Sequence, residues 1–305
     1  MKTQITSILV PTDFSKLSKS ALKVGLAIAK RQNAEITLLH VVDVYAYLRP
    51  SEVVLYKDLI SANLKLTVEA KLKSLAGKIQ KKTGVKIIPK VSEGTPADSI
   101  CQIADEKGIS LIVMGTHGKS GIRQFFIGSE SFRVIKNATC PVLTVPGNWQ
   151  KTAFEKVLFP VRLKQGALDK YFYARPIIEK NNSEVMLLGL ANNKFKDELK
   201  EVTILMEKLK VQLYTDKVLF HTAVIPSKDF PATIINSAID FEADLIILSA
   251  NLDYNFKAHF IGPYAQTVVN HSPLPVLIIK PSTDIKELPS SLELTENLEK
   301  INFHF

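Results

Sequence analysis

The chain repeats itself, and this constrains its fold more than any other feature. An apolar run ending in proline opens each half: Ile8-Leu9-Val10-Pro11 and, 149 positions later, Val157-Leu158-Phe159-Pro160. Further along, Cys140-Pro141-Val142-Leu143 matches Leu274-Pro275-Val276-Leu277, 134 positions apart. The same offset of 134 relates Leu111-Ile112-Val113-Met114-Gly115 to Leu245-Ile246-Ile247-Leu248-Ser249, and Gly128 to Gly262. Three segments sharing one offset mark a duplication, with the second copy 15 residues shorter in its middle.

Each copy alternates strand and helix. In the first, a strand at 7–11 leads to a helix over 16–32 with Leu22, Leu26 and Ala29 on one face. A strand over Ile36–Val42 precedes a long helix over 53–82, whose stripe Leu64, Val68, Leu72, Leu75, Ile79 has helical period and whose stop is Gly84. A strand over Val85–Val91, a helix opened by Thr95 as N-cap and Pro96, a strand at 110–115, a helix at 128–137 and a strand at 141–145 complete the unit. The second copy places strands at 156–160, 184–189, 218–224, 244–248 and 275–279. Short, continuous Val/Ile/Leu strands are those of a parallel sheet covered by helices on both faces. The expected class is therefore α/β: two tandem, doubly wound, five-stranded Rossmann-like domains at 1–147 and 155–281. Residues 148–154 read as the linker, and 282–305 as an acidic tail, either a docked helix or a disordered end.

Of the net charge of +9, the first 150 residues hold 21 Lys/Arg against 11 Asp/Glu, or +10, and the remainder 18 against 19, or −1. Much of that excess falls on the Lys57–Lys90 stretch and reads as a solvated helix face. It lacks the aromatic–basic interleaving that stacks nucleic-acid bases, so no nucleic acid is expected. No apolar run reaches the roughly 18 residues that cross a bilayer, and the N-terminus lacks the apolar core of a secretory signal. The two cysteines, Cys101 and Cys140, form no disulfide framework or metal-ligand spacing. The expectation is the cytoplasm.

Ligands of doubly wound sheets bind beyond the carboxyl ends of the strands, and three features of the first half fall there. Pro11-Thr12-Asp13 follows the first strand, and His40-Val41-Val42-Asp43 closes the second. Met114-Gly115-Thr116-His117-Gly118 follows the fourth, with Gly128-Ser129-Glu130-Ser131 starting the next helix. Glycines allow close approach of a phosphate, and the unpaired N–H groups and positive dipole end of a helix hold the anion. Gly115-Thr116-His117-Gly118-Lys119-Ser120 is not a Walker A loop, because two residues rather than four separate its first glycine from the Gly-Lys pair.

The spacing Gly115-x2-Gly118-x9-Gly128-Ser129 resembles the G-x2-G-x9-G-[S/T] phosphate motif of ATP-binding universal stress proteins. The opening Ile8-Leu9-Val10-Pro11-Thr12-Asp13-Phe14-Ser15 and the run Cys140-Pro141-Val142-Leu143 are similar to that family too. The likeness is strong over 5–146 and weaker over 155–281. It implies Asp13 and the Val41 backbone near the nucleoside, Gly115, Gly118, Gly128, Ser129 and Ser131 near the phosphates, and Mg²⁺ as companion to ATP. It also implies that two units pair through their last strands, so that 141–145 and 275–279 meet as an internal pseudo-dimer, with a further homodimer left open. In the second half Arg162 stands for Asp13, Ser249 and Leu252 for Gly115 and Gly118, and Pro263 for Ser129. Losing these donors is expected to silence that site. The resulting expectation is a nucleotide-responsive regulatory protein with an unidentified protein partner and no catalytic constellation. Its alternatives are a slow ATPase or nucleotidyl-transferring enzyme, and a structural adaptor whose site is vestigial.

Overall fold

A computed structural model describes residues 4–43, 50–116, 128–163, 169–192, 196–250 and 263–280. The first half runs β1 (Ser7–Pro11), α1 (Lys16–Gln32), β2 (Glu35–Val42), α2 (Pro50–Thr83), β3 (Ile87–Glu93), α3 (Pro96–Glu106), β4 (Leu111–Gly115), α4 (Ser129–Asn137) and β5 (Val142–Val145). The second runs β6 (Lys156–Val161), α5 (Lys170–Asn181), β7 (Glu184–Ala191), α6 (Lys196–Thr215), β8 (Phe220–Pro226), α7 (Phe230–Asp240), β9 (Leu245–Ser249), α8 (Pro263–His271) and β10 (Val276–Ile279).

All ten strands share one sheet, in the order β3-β2-β1-β4-β5-β10-β9-β6-β7-β8. Within each half the strands are parallel, and the second half repeats the strand order of the first. The halves meet where β5 and β10 pair antiparallel, with Thr144 opposite Val276, Leu143 opposite Leu277 and Val142 opposite Ile278. The buried Thr144 hydroxyl donates to the Val276 carbonyl at 3.2 Å across this seam. The pairing of last strands implied by the resemblance is thus present in the fold.

Strand side chains alternate between two apolar layers. Ile8 and Val10 join one with residues of α1, α2, α5 and α6; Leu9 points into the other with residues of α3, α4, α7 and α8. Both layers run across the seam, which explains why the strands are apolar without interruption. α1 starts where the Ser15 hydroxyl accepts the Ser18 N–H, and it ends at Asn33 in the left-handed region. α1 also grips the linker: Ser20, Lys23 and Arg31 donate to the carbonyls of Gly147, Gln150 and Thr152 at 2.9, 2.8 and 2.7 Å.

β3 begins two residues later than its apolar pattern indicates. Gly84 takes φ 74° to end α2, and the Gln80 side chain then accepts the Ile87 N–H at 3.1 Å, extending the connector. Gly189 on β7 is a packing glycine: an added Cβ would lie 2.4 Å from Met206 Sδ, 3.1 Å from Val224 Cγ2 and 3.2 Å from Val202 Cγ1. Gly189→Ala should therefore overpack the core and cost about 1–3 kcal/mol in urea unfolding. A neutral result would show that α6 moves aside freely.

Candidate functional site

The carboxyl ends of β1, β2 and β4 and the start of α4 surround a cavity of about 370 Å³. Its lining includes Pro11, Thr12, Asp13, Val41, Met114, Gly115, Gly128, Ser129, Glu130 and Ser131, all expected from sequence. Thr116 is buried beside them and accepts the Gly128 N–H at 2.7 Å on its carbonyl. His117 and Gly118 lie outside the described residues, as do the second-half positions Leu252 and Gly262 and the 282–305 tail.

The β1 end is tightly organised. Thr12 N–H donates to the Leu39 carbonyl at 2.7 Å, and its hydroxyl meets that of Ser18 at 3.1 Å. Asp13 Oδ1 accepts the Ser15 N–H at 3.0 Å, so this carboxylate helps to start α1 as well as lining the cavity. Burial alone would raise its pKa; the Ser15 and Ser18 hydrogen bonds outweigh that and hold it below the usual carboxylate value. Asp13 is therefore an anion with acceptor capacity left for a ligand hydroxyl or amine. Phe14 follows at φ 62°, an uncommon conformation for a bulky residue, and stacks on His40 at 4.8 Å. His40 Nδ1 donates to the Thr12 carbonyl at 2.7 Å, which fixes the proton on that nitrogen because a carbonyl can only accept.

The α4 end supplies main-chain donors. Gly128 is the N-cap residue, extended at φ −63° and ψ 152°, and without a side chain it offers no capping bond. The N–H groups of Ser129, Glu130 and Ser131 are those a helix leaves without internal partners. Among the described residues no packing demands a glycine at 128: its φ suits any residue, and an added Cβ would meet only the Thr116 carbonyl oxygen, at 3.7 Å. The side chains of this turn are engaged elsewhere. Ser131 donates its hydroxyl to the Gly115 carbonyl at 3.0 Å, and Glu130 accepts the Ala97 N–H at 2.8 Å. Glu130 also pairs with Arg133, which forks onto both oxygens of Asp98 at 3.0 Å. Glu130 thereby satisfies the first turn of α3, where Thr95 occupies the N-cap position but makes no capping bond.

Ser18, Leu64, Val68, Pro96 and Ile100 also line the cavity. Leu64 and Val68 belong to the apolar stripe of helical period on α2. The later part of that stripe does bury Leu72, while the earlier part overhangs the strand ends as a cavity wall. Asp43 closes β2 on the same cavity, with Oδ1 buried and unpartnered. Cys101 and Cys140 are pushed up to about 11 and about 12 by burial, so both remain thiols at neutral pH. Among the described residues no three His, Cys, Asp or Glu side chains converge to hold a metal.

The corresponding strand ends of the second half are built differently. Arg162, in the place of Asp13, lies over the rings of Phe230 and Tyr264, 4.4 and 4.2 Å from their centroids. Pro263 opens α8 where Ser129 opens α4, and has no N–H to offer.

A crevice at the strand ends, floored by glycine and an uncapped helix start, lies where doubly wound α/β sheets take ligands. The sequence profile of the Universal stress protein family matches residues 4–146. Universal stress protein MJ0531 of Methanocaldococcus jannaschii is 43% identical over 139 residues, covering 45% of this chain and 80% of that protein. Universal stress protein YxiE of Bacillus subtilis is 34% identical over 150 residues, covering 45% of this chain and 97% of that protein. The chain belongs to the universal stress protein family. The fold of both halves together matches a universal stress protein from Archaeoglobus fulgidus, at a TM-score of 0.73 and 20% identity, over 92% of this chain and all of that one.

Proposed function

We propose that the first-half crevice binds an adenine nucleotide, ATP with Mg²⁺, and that the protein is a nucleotide-responsive regulator of a stress response. The single observation carrying this reading is the cradle at Gly128. A glycine that no packing among the described residues requires sits beside three helix N–H groups that no described side chain caps, facing a cavity. That arrangement suits phosphate oxygens. Asp13 would accept from the ribose or the base amine, the Val41 backbone would address the base, and Leu64 and Val68 would cover it. Because no three ligating side chains converge among the described residues, Mg²⁺ would be held chiefly by the phosphates and water. The second half is silent toward nucleotides on this reading, since Pro263 removes a donor and Arg162 fills the position of the acceptor. Occupancy would tighten α4 and the overhanging start of α2, changing the surface offered to a partner protein.

Thermal unfolding with Mg-ATP tests this. At 100 times the dissociation constant the ligand should add about 2.7 kcal/mol of stability. Gly128→Val should keep the unliganded protein within about 1 kcal/mol of its original stability and abolish the nucleotide response. A wild-type protein that shows no shift in millimolar nucleotide overturns the proposal.

A further inference from the structure

The second half places Arg162, which has no ion-pair partner among the described residues, where doubly wound sheets take ligands. Val157 and Leu158 of β6 lie opposite Leu245 and Ile246 of β9. Continuing that register sets Val161 opposite Ser249, so Arg162 and Ser249 leave neighbouring strand ends. Stacking over aromatic rings immobilises the Arg162 guanidinium and leaves its Nε–H, in the plane of the fork, for an oxyanion. Arg162 Nε and Ser249 Oγ are both buried, and among the described residues neither has a hydrogen-bond partner. Lys170 stands behind them: its amine is buried, donates to the Pro160 carbonyl, lies over the Phe159 ring, and is close enough to feel the charge of Arg162. No ion pair among the described residues includes either cation. A guanidinium, an amine that burial disfavours in its charged form, and two donors without a partner among the described residues are costly at one strand-end crossing unless an anion completes them.

We infer that the ends of β6 and β9 form a second ligand site, for a phosphate dianion, free or as the head of a small phosphate monoester, held by Arg162 Nε–H and the Ser249 hydroxyl with Lys170 as counter-charge. A dianion beside the Lys170 amine favours its protonated form, so both of the dianion's charges are met, where a single carboxylate would need Arg162 alone. The site is made of side chains, where the first-half cradle is made of main-chain amides, so the two halves take different ligands.

Isothermal titration calorimetry of the full chain with inorganic phosphate, in phosphate-free buffer, tests the inference. It is done in the wild type and in the Gly128→Val background, which disables the first-half crevice. Saturable binding should persist in that background and weaken at least tenfold with either Arg162→Leu or Ser249→Ala. Leucine can still pack on Phe230 and Tyr264, and alanine removes only a hydroxyl, so far-UV circular dichroism should show both variants folded. Should Arg162→Leu fail to fold, Ser249→Ala decides alone. Glycerol phosphate competing with inorganic phosphate would identify a monoester ligand; failure to compete would identify free phosphate. No binding in the wild type, binding indifferent to both substitutions, or binding lost only with Gly128→Val overturns the second site. The last of these outcomes leaves the nucleotide reading of the first half intact.

Discussion

Asp244→Ala is expected to lower stability by about 2–4 kcal/mol, because it takes the acceptor from two part-buried main-chain donors. Asp244 precedes β9 and is 3% exposed. Its carboxylate accepts the N–H groups of Glu155 and Lys156 at 2.9 and 3.0 Å and the Lys151 ammonium at 2.6 Å. Lys151 is exposed, so its share is small; the main cost is the two amides, which lose their acceptor when the carboxylate goes. One side chain therefore fastens the segment between the halves to the middle of the sheet. In a thermal melt the loss should appear as roughly 10 °C, with Asp244→Asn falling between alanine and wild type. A drop below about 1 kcal/mol in urea unfolding would mean that the segment relaxes onto water without penalty.

Lys170→Met should stabilise the protein by several kcal/mol at pH 7 and by almost nothing at pH 10.5 or above. Burial, aided by repulsion from Arg162, lowers the amine from 10.5 to about 7 in the folded chain. Between these values the unfolded chain holds a proton that the folded chain lacks, so folding releases it and stability rises with pH. The penalty is absent above pH 10.5, grows as pH falls, and is complete below about pH 7. Its slope can reach about 1.4 kcal/mol per pH unit. Urea unfolding of both proteins across this range, in phosphate-free buffer, should give curves that converge at high pH. Curves that stay parallel would show that the amine keeps its proton in the fold, secured by the Pro160 carbonyl and the Phe159 ring.

The architecture was legible because local and global signals agree. α1 spans the residues its pattern indicates, since Ser15 caps its start and Asn33 adopts the left-handed turn at its end. The strand-end positions of the site were legible for a topological reason: in a doubly wound sheet the ligand end is set by strand direction. What sequence could not reveal depends on tertiary reach. Leu64 and Val68 carry the same period as the core-facing Leu72, and only the overhang of α2 past the strands turns them into a cavity wall. Glu130 lies at the helix start where a phosphate motif runs, yet its carboxylate turns to Ala97 of α3, some thirty residues away in the chain. The corner that holds Arg162 is assembled from Phe230 and Tyr264, too far from it in sequence for any local pattern to connect them.

The antiparallel meeting of β5 and β10 has a geometric outcome. Strands on either side of it point in contrary directions, so the first-half crevice opens on one rim of the sheet and the Arg162 corner on the opposite rim. Cargo at the two addresses would sit on contrary rims of one apolar core. News of one occupant would travel through β5 and β10, through the apolar layers that bridge them, and through ties such as Gln32 to the Pro176 carbonyl at 2.6 Å. Joining two unlike halves in a single chain thus gives one sheet two mouths, turned away from each other.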